Sequence, residues 1–351
     1  VSAAAERQVA WGILGPGTIA NNFAEGVRQT PSAMLLAAGG RTPERLSVFG
    51  RKHGVERLYD TYEALVADPD LDVIYVATPH AFHLEHGLLA ISAGKGLMVE
   101  KPAALAARDV EQLVEAAKRA DVFFMEAYKC RCHPQTARLV ELIREGAIGA
   151  IQHIEARNGG MVERDPQSRL FDPALGGGGI FDIGCYPVST VQLIAGAAQG
   201  RAFAEPVALT ASGEIGPTGV DEIAYAEMDF GNGLTASIGC ALRMAMDDTL
   251  VISGSEGQIV LPNPWRPGRN AGPSDACIVI ETANGKREEW LYDPRQLFAF
   301  EVEVATRALL EGRKCAISPA MTPEDSILNA RTIDRWRAAL GLPVVDSASR
   351  A

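Results

Sequence analysis

The sequence predicts an α/β protein of two domains: a doubly wound, parallel-sheet domain over 1–127, then an α+β domain over 128–351 built on a large, mostly antiparallel open sheet. Three observations carry this. A glycine turn joins a strand to a helix near the N-terminus. Short apolar runs then alternate with helical patterns as far as residue 127, the rhythm of βαβ units. From Pro206 to Trp290 the pattern is mostly that of strands.

The 351 residues are 47% hydrophobic, enough for a large core, and at about 100 to 200 residues per domain they suggest two domains. No apolar run approaches the roughly 18 residues needed to cross a bilayer, and Val1 to Ala10 lacks the apolar core of a secretion signal. The formal charge of -11 argues against general attraction to nucleic acid or to an anionic membrane. Of the six cysteines only Cys130 and Cys132 are close together, which is no disulfide framework and points to a reducing, cytoplasmic setting. Leu261 to Ser274 is the stretch richest in proline and glycine and reads as a surface loop.

Val9 to Leu14 is a buried strand, and Thr18 to Gln29 carries Ile19, Phe23 and Val27 on one helix face. Between them lies Gly15-Pro16-Gly17-Thr18-Ile19-Ala20. In a dinucleotide-binding Rossmann domain, Gly15 allows the tight turn, Gly17 lets a pyrophosphate approach the backbone, and Ala20 lets helix and strand pack closely. The helix start at Thr18 and Ile19 offers N–H groups and partial positive charge to the phosphates.

Met34 to Gly39 is the second strand, and its end selects the cofactor. An acidic residue there would bond the ribose 2′-hydroxyl of NAD. Gly39-Gly40-Arg41-Thr42 instead presents Arg41, suited to a charge-assisted contact with a 2′-phosphate, and Arg45 stands one turn on. NADP is therefore the expected cofactor, with NAD kept as an alternative by Glu44. Thr42 as cap and Pro43 at the first position start the helix Pro43 to His53.

Leu71 to Ala77 is the next strand, ending in Thr78-Pro79-His80. His80, His83 and His86 lack the neighbouring carboxylates or cysteines of a ligand set, so no metal site is expected. A loop after a strand's carboxyl end is where ligands bind in such sheets, so His80 or His83 is expected to border the cofactor, with Thr78 and Pro79 counted among the cofactor residues of the same loop. The helix Leu84 to Ala93 and the strand Gly96 to Val99 lead to Glu100-Lys101-Pro102, again at a carboxyl end where charge serves chemistry. Val122 to Met125 makes the last strand.

In the second domain Pro134 to Glu145 is an amphipathic helix and Ile148 to Asn158 a strand. Cys130 and Cys132 are spaced too closely to chelate well and read as packing. Asp182 and Tyr186, four apart on the helix Ile180 to Ala195, share a face, and the glycines at 176–179 let the backbone approach a ligand. Leu234 to Cys240 alternates as a half-buried strand, paired with Glu222 to Phe230 through Gly231-Asn232-Gly233. Helices near Gln296 to Leu310 and Pro323 to Leu340 close the chain.

Taken in order, Gly15-x-Gly17-x-x-Ala20, Ala77-Thr78-Pro79 with His83, Glu100-Lys101-Pro102, Glu126-Ala127, Arg131-Cys132-His133-Pro134-Gln135 and Gly176 to Tyr186 resemble the Gfo/Idh/MocA oxidoreductase family. Ser168 to Pro173 and Gly184-Cys185-Tyr186-Pro187 are similar to its branch of NADP-dependent aldose (xylose) dehydrogenases, dimeric dihydrodiol dehydrogenase and glucose-fructose oxidoreductase. The resemblance implies hydride transfer between nicotinamide and a sugar or polyol such as xylose or glucose. It makes Tyr186 the proton donor or acceptor, Asp182 its orienting or substrate-hydroxyl partner, and Lys101 a catalytic group that also touches cofactor and substrate. Glu100 falls among the cofactor residues, and Lys129 and Arg131 among the substrate residues. Lys129-Cys130 departs from the branch, which carries a bulkier apolar or aromatic pair. A homodimer or higher homo-oligomer through the open sheet is also implied. A trans-dihydrodiol dehydrogenase would use the same residues, and a non-catalytic nucleotide and sugar sensor is the rival from another class. Retention of both Lys101 and Tyr186 argues against that sensor.

Overall fold

A computed structural model of the chain describes residues 7–268, 276–291 and 293–345. The chain forms two compact units, Val1–Ala104 with Asp109–Lys129 and Arg295–Pro323, and Leu105–Arg108 with Cys130–Pro294 and Glu324–Ala351.

The first unit runs β1 (Val9–Leu14), α1 (Thr18–Arg28), β2 (Ala33–Gly39), α2 (Pro43–His53), β3 (Arg57–Tyr59), α3 (Tyr62–Val66), β4 (Val73–Val76), α4 (His83–Ser92), β5 (Gly96–Glu100), α5 (Ala107–Arg119) and β6 (Phe124–Ala127). The sheet order is β3-β2-β1-β4-β5-β6 with every pair parallel. This is the doubly wound dinucleotide-binding topology, whose order reverses between β1 and β4. β1, β4 and β5 are buried along their whole length, as strands covered on both faces must be. The last strand starts two residues later than its apolar run suggests. The Val122 N–H closes the end of α5 on the Ala117 carbonyl at 3.1 Å, so it is not available to the sheet.

The second unit begins near α6 (Lys129–Cys132) and continues through α7 (Pro134–Arg144), β7 (Ile151–Gly159) and α8 (Cys185–Ala198). Its strands follow as β8 (Ala208–Ile215), β9 (Asp221–Asp229), β10 (Thr235–Ala241), β11 (Leu250–Gly254), β12 (Gly257–Leu261), β13 (Cys277–Thr282) and β14 (Gly285–Trp290). They form one sheet in the order β14-β13-β12-β11-β7-β10-β9-β8, antiparallel except where β10 lies parallel to β7. The expected hairpin is present as β9–β10, with positive φ at Gly231, Asn232 and Gly233. Residues 173–198 are, contrary to the sequence reading, apolar and long enough to pass as a membrane span; 89% of the apolar window is buried, and α8 within it is a core helix. Leu261–Ser274 is not simply a surface loop: Leu261 ends β12 and Trp265 is 1% exposed, while 269–274 lie outside the described residues.

The chain then returns to the first unit with α9 (Phe298–Leu310), before α10 (Pro323–Ala339) ends the second. A single cut after residue 127 therefore does not describe the division. The cause is packing. A Cβ on Gly26 of α1 would come within 2.8 Å of the Phe298 backbone, so glycine lets α9 lie directly on α1. Trp11 of β1 adds a bond from Nε1 to Thr306 Oγ1 at 3.3 Å.

Candidate active site

In the first unit the site starts where β1 ends. Gly15 has φ +92°, where a side chain is strained, and a Cβ there would lie 2.9 Å from Thr78 Cγ2. Its N–H donates to the Gly39 carbonyl at 3.0 Å, tying the turn to the end of β2. Gly17 has an ordinary φ of -93°, and a Cβ there would meet nothing within 4 Å. That is the open approach a phosphate needs. No side chain caps α1, so the N–H groups of Thr18 and Ile19 lack intrahelical partners and stand at the helix's positive end. Ala20 is fully buried, as close helix–strand packing requires.

At the end of β2, Arg41 is exposed, its guanidinium 6.0 Å from the Tyr62 ring and 5.9 Å from the Phe82 ring. It borders a cleft of about 560 Å³ that Tyr62, Glu63, Glu85 and His86 also line. Thr42 stands at the N-cap of α2 with Pro43 behind it, but its side chain makes no capping bond. Arg45 is exposed one turn on.

The ends of β4 and β5 are joined by histidine. The imidazole Nδ1 of His83 lies 2.7 Å from the Pro102 carbonyl and Nε2 lies 2.8 Å from the Thr78 carbonyl, with the residue fully buried. His83 therefore stands behind the loop rather than at the cofactor's border, because both polar atoms face backbone oxygens. Thr78 Oγ1 pairs with His86 Nδ1 at 3.0 Å. Burial pushes His86 down to about 4, so it is neutral at pH 7. Pro79 is partly exposed beside them.

Glu100 is buried and accepts from the Tyr75 hydroxyl and, at 3.2 Å, from the Lys101 N–H. Its carboxylate thus braces the strand end rather than reaching outward. Lys101 and Lys129 are both partly exposed, and Lys129 Nζ lies 5.6 Å from the Phe298 ring centroid. Glu301 of α9, on which the charges of Lys129 and Glu100 act, is 1% exposed, with Oε1 unpartnered. Burial first, then the Glu100 charge, raises its carboxyl well above the usual range, against the pull of Lys129. Sequence reasoning missed Glu301. Its one signal is a carboxylate set between Phe300 and Val302 in an apolar helix.

In the second unit the glycine run serves the chain itself. A Cβ on Gly178, which has φ +111°, would sit 2.3 Å from Asp221 Oδ1. A Cβ on Gly177 would come within 2.8–2.9 Å of the carbonyls of Arg169, Leu170 and Asp172. The expected approach of a ligand to these glycines is thus replaced by close approach of a buried carboxylate and three carbonyl groups. Asp221 accepts the Ile180 N–H at 2.6 Å and lies 3.6 Å from the Arg337 guanidinium. Burial nevertheless raises it to about 6.

Ile180–Gly184 forms a π-helical turn ahead of α8, not the uniform α-helix expected. The wider turn changes the angular offset between Asp182 and Tyr186 from that of an ordinary i, i+4 pair. Asp182 Oδ1 accepts from Arg169 Nη2 at 2.9 Å. Tyr186 is buried, its ring centroid 6.4 Å from that of Trp265, whose Nε1 donates to the Arg157 carbonyl at 2.6 Å. Arg169 and Trp265 were not foreseen as site residues; Arg169 lies in the Ser168–Pro173 motif, whereas Trp265 gave no local signal. Arg131 does not fit the substrate contact expected of it. It is 1% exposed and donates to Ser189 Oγ at 2.7 Å and Asp325 at 3.0 Å, locking α6 to α8 and α10. Cys130 is buried, and His133 caps α7 by accepting the Gln135 N–H at 3.1 Å.

Comparison with known proteins agrees with this geometry. The model of the oxidoreductase family NAD-binding Rossmann fold, GFO/IDH/MocA, matches residues 9–128, and that of the GFO/IDH/MocA C-terminal domain matches 136–260. A trans-1,2-dihydrobenzene-1,2-diol dehydrogenase of Danio rerio is 31% identical, covering 95% of this chain and 97% of its own. An aldose-aldose oxidoreductase from Caulobacter crescentus, solved with glycerol, is 25% identical with a TM-score of 0.82, over 95% of this chain and 97% of its own. A 3-ketoreductase from Actinomadura kijaniata, solved with NADP and TDP-benzene, shares the fold at a TM-score of 0.83 and 23% identity, over 95% and 98% of the two chains.

Proposed function

We propose, for a chain that belongs to the Gfo/Idh/MocA oxidoreductase family, that this NAD(P)-dependent enzyme takes NADP and transfers hydride at a sugar or polyol carbinol, most simply an aldose such as xylose or glucose. The observation that carries the reading is Lys101, partly exposed and held by the buried Glu100 at the carboxyl end of β5, in the sheet whose Gly15–Gly17 turn leaves room for a pyrophosphate.

The nicotinamide supplies a hydride acceptor; the chain must manage the hydroxyl proton. A free tyrosine, with a pKa of about 10, is a poor base near neutrality, and an adjacent ammonium stabilises the phenolate. We assign Tyr186 to take or return that proton, Lys101 to lower its pKa and steady the developing alkoxide, and Asp182, oriented by Arg169, to a substrate hydroxyl. Arg41, between the rings of Tyr62 and Phe82, supports the choice of NADP through its suitability for a 2′-phosphate. The exposed face of the second unit's sheet is assigned to a homodimer contact, which sedimentation would test.

Tyr186→Phe should lower kcat by about 10²–10⁴-fold, the usual worth of acid–base catalysis, with nucleotide binding retained. An unchanged kcat removes Tyr186 from this role. A second reading, oxidation of a trans-dihydrodiol, is favoured by the name of the Danio rerio relative. Reduced-nicotinamide absorbance with NADP⁺ or NAD⁺ across xylose, glucose, galactose, inositol and a trans-dihydrodiol separates the two.

A further inference from the structure

We propose that His83 is a doubly protonated imidazolium that clamps the Thr78 and Pro102 carbonyls together and so positions Lys101 for the reaction; the second clause rests on the catalytic reading of Lys101. A carbonyl oxygen only accepts, and each ring nitrogen of His83 faces one, at 2.7 and 2.8 Å. A neutral imidazole carries one N–H, so one of these contacts would set a lone pair against a carbonyl oxygen. Turning the ring over offers no escape, because it brings carbons where the nitrogens now stand. Two protons satisfy both contacts.

Burial opposes the charge and pulls the His83 pKa down, and Lys101 adds to this. The two carbonyls and the Glu100 carboxylate act in the other direction. Glu100 itself accepts from the Tyr75 hydroxyl and the Lys101 N–H. Among the other groups around the ring, His80 has its centroid 5.6 Å away. His86, on the far side of Thr78, is neutral at pH 7 with its pKa near 4. The paired carbonyls outweigh burial, because a neutral ring leaves no arrangement that meets both oxygens.

The mechanical consequence lies in the spacing. Thr78 follows the end of β4, Pro102 follows Lys101, and one rigid ring from the first turn of α4 spans both. Loss of either proton frees one loop, and with it the backbone that carries Lys101.

The test is nuclear magnetic resonance of the full chain with ¹⁵N-labelled histidine at pH 7. The expected result is one exchange-protected ring showing two nitrogen-bound protons. His133 cannot give that signal, since its Nδ1 accepts a backbone N–H, and neutral His86 cannot either; persistence of the signal in His53→Gln and in His80→Gln assigns it to His83, and its loss in either variant overturns the assignment. A protected set in which every ring has only one N–H overturns the charge assignment, whatever the enzyme turns over. His83→Gln, whose two N–H donors share one nitrogen and do not reach both carbonyls as the two ring nitrogens do, should lower kcat by about 10²-fold, the scale of a small misplacement of a reacting group. Nucleotide affinity and cooperative unfolding should change little. A kcat equal to wild type, or loss of kcat only in proportion to loss of folded protein, overturns the positioning role. Should that variant fail to fold, the resonance experiment on the native chain still decides the protonation.

Discussion

Two glycine-rich turns in this protein have similar sequences and opposite surroundings. At Gly15–Gly17 the first glycine is fixed by a positive φ and by Thr78, while the second faces open space. At Gly176–Gly179 the space is already filled, with Asp221 Oδ1 at 2.3 Å from a Cβ placed on Gly178 and three carbonyl oxygens under 3 Å from one on Gly177. One turn leaves room for something outside the fold; the other leaves room for the fold's own carboxylate. Glycine in a sequence reports that a backbone needs space, and only the surroundings say what for.

The largest effect that would break this comparison is expected at Gly178. Gly178→Ala combines φ +111° with displacement of a buried carboxylate held by Ile180 and Arg337. A loss of about 2–4 kcal/mol in urea unfolding is expected from the strain and the disrupted bonds. Stability like that of wild type would mean that Asp221 is not what the glycine accommodates.

Asp221 supplies the next test. Its folded pKa of about 6 lies above the unfolded value of about 3.9, so between those two values the folded state holds the extra proton. The contribution of Asp221 to stability therefore falls as pH rises from about 4 to 6. The stabilisation lost is on the order of 2–3 kcal/mol by linkage. Asp221→Asn, measured by unfolding at stepped pH, should remove that contribution, so that stability relative to wild type rises between about pH 4 and 6; an unaltered pH dependence would mean that Asp221 does not carry the shift.

The smallest expected change in stability is at Gly17, where the added methyl of Gly17→Ala meets no atom within 4 Å and the φ of -93° suits alanine. Unfolding should shift by less than about 0.5 kcal/mol, whereas nucleotide affinity should fall by about tenfold or more, since the methyl occupies the phosphate's approach. Titration of the nucleotide by calorimetry checks this. Unchanged affinity would show that the opening at Gly17 is not where phosphate lies.

The same contrast governs how much was legible in advance. Local signals sufficed for elements that depend on near neighbours. The apolar runs fixed the buried strands of the first sheet, Thr42-Pro43 marked the start of α2, and Gly231-Asn232-Gly233 marked the β9–β10 hairpin. They failed where a partner distant in sequence intervenes. The resemblance sets Arg131 among the substrate residues, but Asp325 and Ser189, both far along the chain, take its donors. His83 looked like a group facing ligand until the Pro102 carbonyl was found on its ring.

The sequence by itself determined the kind of protein this is: a parallel dinucleotide-binding sheet, an antiparallel companion sheet, and a lysine at a strand's carboxyl end, because period, turn chemistry and composition are local properties of the chain. Tertiary structure alone decided that α9 returns to the first unit, that Ile180–Gly184 is a π-helical turn, and that Glu301 is buried where the charges of Glu100 and Lys129 act on it. Each depends on which remote surface covers a side chain. Burial and proton affinity are set by that surface, and no window of neighbouring residues contains it.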